Sequence, residues 1–189
     1  MTSPRDVARR SLGALILGAA LGVASVAGAS DPTAPGYVLQ LERAYGPPSQ
    51  QGFGSAVFHE TLGRDQALDA AALAAYRRFV GPLWDRFGEA AWMAPWREVY
   101  RRPAGARHDV VAELGRIDDA DARNSVPMVL DVVEDAAAAR SALSVAFDDP
   151  AVTELRVFNL GDGQAMSGLL VAGRRAATGE AVMLVFLMD

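Results

Sequence analysis

Cysteine and lysine are both absent from this 189-residue chain, and histidine occurs only twice. Without cysteine there is no disulfide, thiol nucleophile, iron-sulfur cluster or cysteine-ligated zinc, and no lipid-modified N-terminal cysteine. Without lysine there is no Schiff-base chemistry and no P-loop amine. All 18 basic residues are arginine, set against 23 acidic ones for a formal charge of −5. Phosphates would be repelled over most of such a surface, which argues against a nucleic-acid partner. Two further motifs are missing. Gly52-Phe53-Gly54 lacks the third glycine of a dinucleotide fingerprint, and neither Gly54-Ser55 nor Ser167-Gly168 lies in a G-x-S-x-G elbow. No cofactor and no metal site follows from the sequence.

What is present begins with a leader. Arg5, Arg9 and Arg10 precede an uncharged run from Ser11 to Ser30 that reaches Ala27-Gly28-Ala29 just before Asp31-Pro32. Basic, apolar, small-x-small is the order of a secretory signal peptide, so residues 1–29 are expected to direct export and to be removed. The rival reading is a retained anchor, because the uncharged run approaches the ~20 residues that span a bilayer. Arg9-Arg10-Ser11-Leu12 also resembles a twin-arginine signal. The expected location is the periplasm or outside of a bacterial cell, with membrane contact only in transit. Cleavage would remove Arg5, Asp6, Arg9 and Arg10, leaving 15 basic against 22 acidic residues, a charge of −7. About 160 residues would remain, enough for one core that buries roughly 70% of the unfolded surface.

Residues 30–64 are dense in Pro, Gly and Gln and read as an extended arm, with a candidate edge strand in SAVFHETLG. The domain proper is expected over 65–189. From Gln66, Leu68, Ala72, Tyr76, Phe79, Leu83 and Phe87 recur at steps of three and four, an amphipathic helix capped by Asp65 and broken at Gly81-Pro82. A further helix is expected from Glu89 toward Tyr100, bent at Pro95. VPMVLDVV reads as a strand, and EDAAAARSALSVAF as a helix stopped by Asp148-Asp149-Pro150. TELRVFNL, AMSGLLVAG and EAVMLVFLM then form three strands of an antiparallel meander. NLGDGQ lies between two of these strands, so its Asp-Gly pair is expected to make a turn. A phosphate loop would instead lead into a helix.

The expected fold class is α+β, with helices packed on a curved antiparallel sheet. The order α-α-β-α-β-β-β resembles that of cystatin-like and nuclear-transport-factor-like cones, on element order alone. The last strand, apolar on both faces, needs both faces covered. Helices are expected on one face; the arm, a second copy of the chain or an apolar ligand would cover the other.

Candidate chemistry is sparse. His59-Glu60 and His108-Asp109 each place an imidazole beside a carboxylate and are the candidates for acid-base catalysis. Asp118, Asp119 and Asp121 read as a solvated acidic loop, since the spacing and glycine of an EF-hand are missing. Trp84, Trp92, Trp96 and Tyr100 are the candidates for a pocket wall, with ordinary core packing as the alternative. Three readings of function follow. The first is an exported, non-catalytic binding module for a small apolar ligand or a protein partner, with homodimerisation through the sheet. The second is a small extracytoplasmic hydrolase or isomerase using a His/carboxylate pair. The third is an interaction or inhibitory protein with no cavity.

Overall fold

The computed structural model describes residues 33–131 and 134–189. The expected leader, residues 1–29, lies outside the described residues. In the stretch expected to be extended, Gly36–Tyr45 forms helix α1. Val38, Leu41 and Tyr45, three and four apart, are all buried. Pro35 precedes the first turn, and Gly46, at φ 91°, stops the helix while its N–H bonds Glu42 O. The breakers thus bracket one short helix rather than preventing it.

Strand β1 follows at Gly54–Thr61, then α2 (Leu68–Val80), α3 (Pro82–Phe87), α4 (Glu89–Met93) and strand β2 (Arg97–Arg101). After these come α5 (Val110–Leu114), α6 (Ala120–Asp131) and α7 (Ala136–Phe147), and last β3 (Val152–Asn159), β4 (Ser167–Arg175) and β5 (Glu180–Met188). The five strands form one antiparallel sheet in the order β1-β5-β4-β3-β2. The chain is therefore α+β with an antiparallel sheet. Its C-terminal strands form the expected meander, and SAVFHETLG supplies an edge strand.

Three further elements differ from expectation. The helix predicted over 65–80 starts at Leu68 with Ala67 at its N-cap, and the Asp65 side chain does not cap it. Residues 126–131 of VPMVLDVV belong to α6, in which Ser125, Val126, Val129 and Leu130 are buried at helical spacing. Asp119 starts this helix by accepting from Ala122 N at 3.0 Å, and the helix runs on through Pro127. Trp96-Arg97 onward leaves the helix predicted to reach Tyr100: Pro95 ends it, and β2 pairs with β3 through Glu98↔Phe158 and Tyr100↔Val157.

Helices lie on both faces of the sheet, not in one concave face. Val157, Val171, Val182 and Leu184 pack against α1, α5, α6 and α7. Phe58, Phe158, Met183 and Val185, pointing the other way, pack against α2, α3 and α4. The two-sided apolar strand is thus covered on both sides by helices of its own chain. At the sheet's end, Arg102 and Glu113, each with a 4% exposed side chain, form a bidentate pair at 2.7 Å on both arms. Arg102 also donates to Phe147 O at 2.8 Å, which ties β2 and α5 to the end of α7.

Candidate functional site

The site is built where the α2 stripe breaks. Gly81, at φ 56° and ψ −132°, restarts the helix one residue before Pro82 and changes its phase. Trp84 becomes the buried residue of α3, while Phe87 turns outward and is 57% exposed. Gly88 repeats the device at φ 84° before α4, whose Trp92 is buried with its indole N–H donating to Leu83 O at 3.1 Å. Trp84 and Trp92 stack at 6.4 Å, and Phe87 meets Trp92 edge-on at 6.1 Å. Phe53, from the segment before β1, and Met166, from the β3–β4 connection, complete the walls. With Phe87, Ala91 and Trp92 they line an almost wholly apolar hollow of about 240 Å³, open on one side.

A charged hollow of about 260 Å³ adjoins it, sharing Ala91 and Met166 and adding Arg97, Asp121 and Asp162. Arg97 donates to both oxygens of Asp119 at 2.8 and 2.7 Å, to Asp121 Oδ2 at 2.8 Å and to Pro95 O at 3.2 Å. The hydrogen bond from Arg97 holds the Asp119 carboxyl below the usual carboxylate range. Asp119 and Asp121 are thus not merely solvated, as expected for that loop: they anchor β2 to the start of α6. Asp162 Oδ1 accepts from Met166 N at 2.9 Å and Gln164 N at 3.0 Å, and these bonds lower its pKa as well. NLGDGQ is a turn, as expected, and Asp162 both shapes it and lines the charged hollow. Gly163, at φ 69°, lies so close to Asp121 that a Cβ there would collide with the Asp121 carboxylate.

The residues singled out in the sequence are dispersed. His59 Nε2 lies 3.9 Å from Glu180 Oε1, beyond hydrogen-bond reach, and is closed off from solvent without a hydrogen-bond partner. Its sequence neighbour Glu60 points to the opposite face of β1. Tyr37 packs edge-on to His59 at 6.3 Å and carries the Arg175 guanidinium 3.7 Å above its ring. His108 Nδ1 is 3.3 Å from Asp149 O, while Asp109 caps α5 by accepting from Ala112 N at 3.1 Å. Neither His-acid pair of the sequence acts as a pair in space.

Of the aromatic candidates, only Trp92 lines the apolar hollow. Trp84 is buried, and Trp96 stacks between Phe158 at 4.6 Å and Tyr76 at 5.6 Å as part of the core. Tyr100 belongs to the other side of the sheet. There it lines a polar hollow of about 280 Å³ with Arg107, Asp109, Glu113 and Arg116. Phe53, Phe87, Arg97, Asp162 and Met166 were not visible in the sequence as a group. Phe87 carries the one available signal: it falls in the aromatic-rich stretch with Trp84, Trp92, Trp96 and Tyr100, but its step on the Leu68–Phe87 stripe assigns it to a buried face.

A wider hollow of about 800 Å³ between α1 and the start of α7 is lined by Gln40, Arg43, Glu134, Asp135 and Ser141 among others. Among the described residues its walls mix these polar groups with Ala44, Ala136 and Ala138 and hold no aromatic or large aliphatic side chain. Among the described residues no group of three or more His, Asp or Glu could hold a metal ion, and no helix is long and apolar enough to cross a membrane. No family model matches the chain, and neither a curated protein nor a solved structure matches it.

Proposed function

We propose that this chain is an exported, non-catalytic binding module that seats an apolar side chain of a partner protein against Phe53, Phe87, Ala91, Trp92 and Met166. The observation that carries this reading is the exposed Phe87 ring beside Trp92 in a hollow whose walls are nearly free of polar surface. Aromatic and methionine side chains are enriched in the fully buried centres of protein interfaces. Volume favours a side chain over a free small molecule: about 240 Å³ is below the roughly 300 Å³ at which enclosed ligand sites begin, and this hollow is open. The case for a small apolar ligand within the sheet loses its basis, because helices fill both faces. Support for export, to the periplasm or beyond, comes from the residue order of positions 1–29.

The acid-base reading has less support. His59 has its carboxylate at 3.9 Å and its Nε2 shut off from solvent, and His108 faces a backbone carbonyl. A general base needs hydrogen-bond reach to the proton it takes.

Selection of a random-peptide display library on residues 30–189 tests the proposal. Ala91 is exposed on α4, so Ala91→Arg fills the groove mouth without touching the core. Peptides with an apolar anchor should be enriched on the wild-type protein and lost on Ala91→Arg. No enrichment, or equal enrichment on both proteins, overturns the reading.

A further inference from the structure

Resting on the groove as a docking site, the charge around it names the chemistry of the partner: we infer that the seated segment carries an arginine or lysine next to its apolar anchor. The apolar and charged hollows are one continuous surface, because Ala91 and Met166 wall both. A partner chain that places a side chain over Trp92 therefore lays its neighbouring residues over Arg97, Asp121 and Asp162. Their charges do not balance. Arg97 is the single cation, and its bonds go to both oxygens of Asp119 and to Asp121 Oδ2. One guanidinium thus serves two carboxylates, and Asp162 adds a third. Asp162 Oδ1 accepts from the neutral backbone N–H groups of Gln164 and Met166, and no cation among the described residues pairs with this carboxylate.

Asp121 and Asp162 thereby leave an excess of negative charge where the loop, at Gly163, meets α6. A guanidinium or ammonium from the partner meets an uncompensated double negative charge at this end of the groove, whereas an acidic residue is repelled. The formal charge of −5 over the whole chain steers the same kind of partner toward the surface.

Two fluorescein-labelled peptides of identical length separate the possibilities, Gly-Ser-Arg-Phe-Arg-Ser-Gly and Gly-Ser-Glu-Phe-Glu-Ser-Gly. Their binding to residues 30–189 is read by fluorescence anisotropy and by the Trp92 indole N–H resonance. The arginine peptide is expected to bind about five- to tenfold more tightly at low salt, with the ratio shrinking at 0.5 M salt. Asp162→Asn keeps the oxygen that accepts from Met166 N and removes the charge. It should reduce the ratio by roughly two- to threefold, with the fold intact by far-UV circular dichroism. Equal affinities on the wild-type protein overturn the charge inference and leave the groove standing. Tighter binding of the glutamate peptide, or an unchanged ratio in Asp162→Asn, overturns it as well. If neither peptide perturbs Trp92, the groove itself is not a docking site and both readings fall.

Discussion

Arg102 and Glu113 meet at 2.7 Å with 4% of each side chain exposed, so each cancels a charge that water cannot reach. Removing one partner leaves the other uncompensated, which costs about 3–5 kcal/mol. Arg102→Ala and Glu113→Ala are therefore expected each to lower unfolding free energy by that amount in urea titrations. The double variant should cost less than the sum of the two, since neither charge is then left alone. Asp119 makes a pH prediction of a definite sign. Its pKa is depressed in the folded state, chiefly by the hydrogen bond from Arg97, so its contribution is fully present above the unfolded value near 4 and fades as pH falls through the folded one. Wild-type protein should lose more stability between pH 5 and pH 3 than Asp119→Asn, as read by urea midpoints at the two pH values. Equal losses would mean that this ion pair does not contribute.

Among the elements, legibility follows how local the deciding interaction is. EDAAAARSALSVAF becomes α7 because Asp135 caps Ala138 N at 2.9 Å and alanine suits the interior, both readable from neighbours in sequence. TELRVFNL, AMSGLLVAG and EAVMLVFLM read as strands for the same reason, with β-branched and apolar runs between turn residues. VPMVLDVV reads as a strand too, yet its residues 126–131 lie in α6, because a β-branched run serves a helix once a cap starts it and a core receives one face. REVYR is a strand only because β3 lies beside it. Gly163 marks another such join, with φ 69° on the β3–β4 loop and Asp121 against its Cα. Gly163→Ala incurs about 1–2 kcal/mol of left-handed strain and pushes the loop from α6. It is expected to lower the thermal midpoint and to shift the Met166 and Asp121 amide resonances together. An unshifted Asp121 amide would show that the loop and helix are not coupled there.

At the scale of the whole molecule, β4 and β5 are sandwiched between two apolar layers. Met183 and Leu184, adjacent in β5, point into different cores and are 1% and 0% exposed. Met183→Ala and Leu184→Ala should each cost about 2–5 kcal/mol and lower a single cooperative transition in calorimetry. A negligible cost for either would mean that one face is an adaptable cavity rather than a packed layer. The same arrangement explains why no ligand or second copy is needed to cover β5. The arm thought to be extended contributes α1, which joins α5, α6 and α7 over one face, while α2, α3 and α4 take the other.

The residue order alone determined the α+β class, the C-terminal meander, the α2–α3 break at Gly81-Pro82, and the exclusion of thiol and lysine chemistry. Each of these depends on residue type or on neighbours within a few positions. Tertiary structure alone decided that helices cover both faces, that the histidines and their adjacent acids part company, and that Phe87 turns outward beside Phe53, Trp92 and Met166. Those outcomes hang on the phase at which α3 restarts and on contacts between segments far apart in the chain. Hydrophobic periodicity records that a face is buried, and the packing of the whole chain selects what buries it.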